Sequence, residues 1–186
     1  SPWNLPLYLL SWKLAPALAA GNCVIAKPSE ITPMSADLLA RTAQEIGFPA
    51  GVLNIVQGAG ETVGAALVAH PEVKAISFTG STAVGHRIAA VCADQFKKVT
   101  LEMGGKNPAL VFPDAPAHTL KTLVRAAFQN TGQICLCGSR ILIHRDIYDE
   151  FKKAFVAESS ALKIGAPSDP ATQLGPVMSE AHFRKV

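Results

Sequence analysis

The sequence has little charge and few aromatic rings. Asp, Glu, Lys and Arg make up 17% of its 186 residues, and Phe, Trp and Tyr 6%. Beside 49% hydrophobic residues, that excludes a solvated, disordered chain and points to a globular one. Charge of one sign is also scarce: the net charge is +3, and Lys97-Lys98 and Lys152-Lys153 are short pairs that read as solvated faces. A nucleic-acid footprint is therefore not expected. No apolar run reaches the ~18 residues a membrane span needs, so no membrane partner is expected. The opening Ser1-Pro2-Trp3-Asn4 has no charged segment followed by an apolar one, as a secretory signal would. There are four cysteines, Cys23, Cys92, Cys135 and Cys137, with no Cys-x-x-Cys pair and no His cluster, so structural zinc is not expected. A chain of this length builds a core without disulfide staples, and free thiols in a reducing, cytoplasmic setting are the expectation.

What is present is an alternation of short apolar runs with amphipathic ones. Asn22–Lys27, Val52–Val56, Val73–Phe78, Lys98–Leu101, Asn107–Phe112 and Ile141–Ile143 read as strands, the first as a parallel strand buried on both faces. Around them, residues 7–20, 34–46 and 120–129 read as helices, as do a stretch opened by Gly58-Ala59-Gly60 and running to about Ala69 and one that follows the Thr79–Gly85 loop and runs to about Ala93. Pro16 is expected to kink or interrupt the first, Thr32-Pro33 to start the second and Gly47 to stop it. Asp146 is expected to cap a last long helix to about Lys163, with Tyr148, Phe151, Phe155 and Leu162 as its core face. The pattern gives an α/β class with a largely parallel sheet.

The most informative stretch runs from Phe128 to Arg140: Phe-Gln-Asn-Thr-Gly-Gln-Ile-Cys-Leu-Cys-Gly-Ser-Arg. It holds Cys135 on a glycine-containing turn between a helix and a strand, where a scaffold fixes a nucleophile and leaves it accessible. Taken alone, Cys135 is as readily a small buried hydrophobe. Four further stretches stand out, three of them at strand ends. Pro2-Trp3-Asn4 precedes the first helix. Lys27-Pro28-Ser29-Glu30 lies at the carboxyl end of the first strand, the edge where open α/β sheets bind ligands. Phe78-Thr79-Gly80-Ser81-Thr82-Ala83-Val84-Gly85 joins a strand to a helix, and glycine there lets backbone N–H groups approach an anion. A nucleoside-triphosphate P-loop is excluded, because His86-Arg87 stand where its lysine and hydroxyl would be. Gly58-Ala59-Gly60 with Gly64 departs from Gly-x-Gly-x-x-Gly and reads as a turn. Glu102-Met103-Gly104-Gly105-Lys106 ends the fourth strand.

Phe-x-Asn-x-Gly-Gln-x-Cys with Gly-Ser-Arg resembles the active-site signature of the NAD(P)-dependent aldehyde dehydrogenases. The other four stretches, in the same order, resemble that family's remaining motifs over essentially the whole chain; Met103 stands where the family has leucine, a volume-conserving change. The resemblance implies that Cys135 attacks the aldehyde carbon and that Asn4 and the Cys135 N–H hold the oxyanion. Hydride loss then leaves a thioester, and Glu102 activates the water that hydrolyses it. It implies NAD contacts from Trp3, Lys27, Ser29, Glu30, Gly80, Ser81 and Gly85, and no metal. A carboxylate at Glu30 accepts from a ribose 2′-hydroxyl and repels a 2′-phosphate, which favours NAD over NADP. A glutamate base argues against relatives that pass the acyl group to coenzyme A.

By residue type alone, Asn4 would close a local turn, Lys27 and Glu30 would flank a helix start, and Glu102 would be a surface charge. Cys137 is expected to be a spectator in the pocket wall; its alternative is a disulfide with Cys135. Ile134 and Leu136 suggest an apolar wall. The run around Cys135 most resembles members acting on muconic semialdehydes of tryptophan or aromatic catabolism. The resemblance implies a Rossmann-like sheet flanked by helices as a partial NAD-binding domain over 1–103, and the start of a second α/β domain, the catalytic one, over 104–186. The sequence reads as an internal segment of a longer chain, which as a whole protein is expected to form a homo-oligomer, dimer or tetramer. A second reading, from another class, is a non-catalytic NAD-binding or structural protein that keeps the fold.

Overall fold

The computed structural model describes residues 1–186 as two compact units, Ser1–Gly104 and Gly105–Val186. Three β-α-β repeats build them, two in the first unit and one in the second. In the first repeat, β1 (Val24–Ala26) and β2 (Leu53–Ile55) pair in parallel, connected through α2 (Met34–Glu45). In the second, β3 (Ala75–Gly80) and β4 (Lys98–Met103) pair in parallel through α4 (Thr82–Asp94). In the third, β5 (Asn107–Val111) and β6 (Gly138–Ile143) pair in parallel through α5 (Thr119–Phe128). Parallel strands need such a crossover, so the alternation seen in the sequence specifies this pairing. Helices α1 (Pro6–Ala19) and α3 (Ala65–Ala69) complete the first unit, and α6 (Tyr148–Ser160) and α7 (Glu180–Lys185) the second. None is long and apolar enough to cross a membrane.

The first unit has two cores. Leu10 and Leu14 of α1, Ala26 of β1 and Ala36 of α2 are buried together, with Leu18, Val24, Leu39, Leu53 and Ile55 packed against them. Val68, Ile88 and Cys92 form the other, against Ile76, Phe78, Val91 and Leu101. In the second unit Val111 and Val124 are buried. Exposure alternates along β1 and β5, and one face is open: Ile25 in β1, Leu110 in β5 and Leu142 in β6 are each about half exposed or more. The expectation of a first strand buried on both faces is therefore corrected.

Other local expectations change as well. Pro16 lies inside α1 without ending it, three residues before the last helical one. Pro6 is at the helix start, where a missing N–H costs nothing. Thr32 does not cap α2: the cap position is Pro33, the Thr32 hydroxyl is buried, and Ser29 Oγ instead accepts from Ile31 N at 3.3 Å. Asp146 does not cap the long helix. His144 Nδ1 accepts from Asp146 N at 3.4 Å and caps a short 3-10 turn, Arg145–Ile147, ahead of α6. No residue of α6 is fully buried; Phe155 meets Phe128 at 6.2 Å between ring centroids, while Tyr148 is exposed. Lys97 is the largest surprise. It is buried, and its ammonium donates to the carbonyls of Val68 (2.5 Å) and His70 (2.7 Å) where α3 ends, a helix end that attracts a cation.

Candidate functional site

Each site residue begins with the element that carries it. Cys135 follows α5 through a 3-10 turn, Gln129–Gly132, that has an unusual backbone. Asn130 (φ 52°), Thr131 (φ 58°) and Gly132 (φ 73°) are successively left-handed. Glycine takes this conformation freely and Asn tolerates it, whereas a β-branched Thr does so at a cost. Side chains hold the strained run. Thr131 Oγ1 donates to Gly175 O at 3.0 Å, and Gln133 Nε2 donates to Asn130 O at 3.0 Å. Gln133 Oε1 also accepts from Met178 N at 2.9 Å. The segment Leu174-Gly175-Pro176 thus braces the cysteine loop, and residues of both segments line a hollow of about 340 Å³.

Next comes a tight turn in which Cys137 N donates to Ile134 O at 3.0 Å. Cys135 and Leu136 are its two central residues, so their side chains point away from the turn's hydrogen bond. Cys135 is half-buried and free, and Leu136 is 78% exposed, so it walls nothing within this chain. Cys137 is also free, with its thiol 3.6 Å from Gln129 O. Asn107, which the sequence reading did not single out, enters here: its Nδ2 donates to Cys135 O at 2.6 Å and to Cys137 O at 3.2 Å. The signal for it was its place directly after Gly-Gly-Lys.

The remaining candidates belong to the first unit. Asn4 and Trp3 are half-buried in the bend before α1. Glu102 is an exposed residue of β4, paired in register with Thr79. Its charge is felt by Lys13: burial lowers the pKa of that lysine, Glu102 partly offsets this, and the ammonium donates to Ser77 Oγ at 2.8 Å.

Beyond β1, Lys27, Ser29 and Glu30 come together with Gly58. Lys27 Nζ donates to Pro28 O and Gly58 O, both at 2.7 Å, and stands 3.5 Å from the Glu30 carboxylate. The carboxylate itself is 56% exposed, on a hollow of about 370 Å³ lined by Pro33, Met34, Asp37, Gln57 and Gly58. Apolar Pro33 and Met34 beside the carboxylates of Glu30 and Asp37 suit a group with flat rings and hydroxyl donors.

The loop between β3 and α4 works differently from its sequence reading. Neither Gly80 nor Gly85 has a positive φ. A Cβ on Gly80 would lie 2.4 Å from the Phe78 ring, and one on Gly85 would lie 2.5 Å from Met103 Sδ. Gly80 makes room for the Phe78 ring within β3, and Gly85 for the approach of Met103 of β4 to α4. Ser81 is the cap of α4, its Oγ accepting from Val84 N at 3.3 Å.

Comparisons with known proteins agree on one family. The sequence profile of the aldehyde dehydrogenase family matches residues 1–186. The chain is 55% identical to a 2-aminomuconic semialdehyde dehydrogenase of Bos taurus, over all of this chain and 38% of the relative. It is 47% identical to a 2-hydroxymuconic semialdehyde dehydrogenase of Pseudomonas putida, over all of this chain and 39% of the relative. A betaine aldehyde dehydrogenase of Staphylococcus aureus, solved with NAD+, superposes with a TM-score of 0.96 at 40% identity, covering 99% of this chain and 37% of that one. The chain thus spans about two fifths of the length of these relatives. With a profile match over its whole length, the chain belongs to the aldehyde dehydrogenase family.

Proposed function

We propose that the protein carrying this chain oxidises an aldehyde to a carboxylic acid with NAD+, through a thioester on Cys135. The observation that supports this most is the turn at 134–137: it holds a free cysteine between α5 and β6, braced from Asn107, Gln133 and Thr131. A nucleophile needs such a fixed, accessible mount. NAD, when bound, supplies the two-electron acceptor. The chain's own residues do the rest. The Cys135 sulfur forms a bond to the carbonyl carbon, and the oxygen becomes an oxyanion. Asn4 and the Cys135 N–H donate to it; one such donor is typically worth about 3–4 kcal/mol of barrier. After hydride leaves that carbon, Glu102 takes a proton from water, the hydroxide attacks the thioester, and the acid departs as the thiol is restored.

The residues fit NAD. Lys27 holds Glu30 at the 370 Å³ hollow beyond β1, where the carboxylate accepts ribose hydroxyls and disfavours a 2′-phosphate. Ser29 shapes that turn. Trp3, Gly80, Ser81 and Gly85 complete the cofactor residues, with Ser81 capping the start of α4. On this reading residues 1–103 belong to the NAD-binding domain and 104–186 to the catalytic domain. The relatives named for muconic semialdehydes support a semialdehyde of aromatic or tryptophan catabolism as substrate. A cytoplasmic homo-oligomer is the expected setting.

The test follows NADH absorbance from the intact protein with a panel of aldehydes that includes muconic semialdehydes. Wild type should turn over, and Cys135→Ser should lose at least about a thousandfold in kcat. NAD binding with no NADH from any aldehyde, or full activity in Cys135→Ser, overturns the proposal.

A further inference from the structure

Where β5 meets β6, the hydrogen-bond ladder is interrupted. Asn107 pairs with Gly138 but Pro108 pairs with Arg140, so Ser139 bulges out of register. Pro108 has no N–H to give. At this gap side chains take over. The Asn107 amide donates both its hydrogens, one to Cys135 O and one to Cys137 O, at 2.6 and 3.2 Å. Across the gap Arg140 Nη2 donates to Lys106 O at 2.7 Å.

The two carbonyls held by Asn107 bracket the turn that carries Cys135. Fixing the Cys135 carbonyl fixes the peptide plane after it. With the 134–137 turn bond already in place, the direction of the Cα–Cβ bond of Cys135 is then set. An amide is suited to this because only its NH₂ end offers two donors in one plane. A carboxylate of the same shape offers none and faces two carbonyl oxygens instead. The loop needs such an anchor, since the three left-handed residues before it favour relaxation.

We propose that Asn107 is the positioning residue of the nucleophile, acting through the backbone carbonyls of Cys135 and Cys137 and not by touching the substrate. The proposal rests on the reading of Cys135 as the nucleophile. A catalytic group can be displaced by an ångström with no loss of fold and still lose much of its rate.

The experiment compares wild type, Asn107→Asp and Asn107→Ser in the intact protein. Amide exchange of the peptide covering Gln133–Gly138 should rise about tenfold in Asn107→Asp, while the peptide covering Phe78–Gly85 keeps its wild-type exchange. With the best aldehyde, kcat should fall about tenfold or more with the KM for NAD within twofold, and Asn107→Ser, which keeps one donor, should fall between. Unchanged exchange in the loop overturns the clamp. Changed exchange with wild-type kcat overturns the positioning role, as does a loss confined to the KM for NAD. If wild type itself yields no NADH, the proposed function has failed, not this inference; the rate of Cys135 alkylation by iodoacetamide then replaces kcat, slowed in Asn107→Asp relative to exposed Cys23 if the clamp positions the thiol, equal if it does not. If Asn107→Asp fails to fold, Asn107→Ser against wild type decides on the same readouts.

Discussion

The loop between β3 and α4 and the loop between α5 and β6 both look like glycine-bearing functional turns, yet they are held by opposite means. The first has no left-handed residue. Its glycines are places where a methyl group would strike the Phe78 ring or the Met103 sulfur, and one hydroxyl, that of Ser81, caps the helix. The second has three left-handed residues in a row and is tied down by hydrogen bonds from Asn107, Thr131 and Gln133. Packing against a strand gives the first a fixed backbone with little polar machinery. The second keeps Cys135 accessible, so it cannot be packed over, and directional bonds replace packing.

If the comparison is right, the two loops should respond to different substitutions. The largest effect on stability is expected in the first. Gly85 is buried in α4, and Gly85→Val drives its methyl groups against Met103 Sδ, an overpacking that costs about 1–3 kcal/mol. Urea denaturation of the intact protein reads that loss, and adding Met103→Ala should recover a large part of it. If the second change recovers nothing, the glycine is there for its backbone and the contrast fails. A smaller loss is expected in the second loop. Gly132→Ala forces a Cβ on a left-handed residue, about 1–2 kcal/mol, and no neighbouring truncation should rescue it, because Gly132 is strained by conformation more than by contact. Its kcat should suffer more than its stability, while Gly85→Val should show the reverse.

The β-α-β order was legible in the sequence, because short apolar runs alternate with 3.6-period segments and parallel pairing then leaves few choices. Boundaries were less so. Asp146 and Thr32 looked like caps by residue type, but His144 caps the short turn ahead of α6 and no side chain caps α2, since capping depends on backbone placement that composition does not reveal. Lys97 read as one of a solvated pair, yet it is buried on two carbonyls contributed by a distant helix end. In the candidate site, the chemistry-bearing side chains were recognisable from their motifs. Asn107 and the 174–178 brace were not, because they act through backbone atoms of the cysteine loop, and nothing in a residue's type announces a long-range bond to a carbonyl.

The central claim is that Cys135 carries the acyl group and Glu102 releases it. Its most direct test is intact and peptide mass spectrometry of Glu102→Gln in the full-length protein, quenched in acid after mixing with NAD+ and a productive aldehyde. The account predicts a burst of NADH of about one equivalent per active site. It also predicts an acyl adduct that accumulates on Cys135 and on no other cysteine, Cys137 included. An adduct on Cys137 or Cys23, or steady turnover at the wild-type rate with no adduct at all, would contradict it.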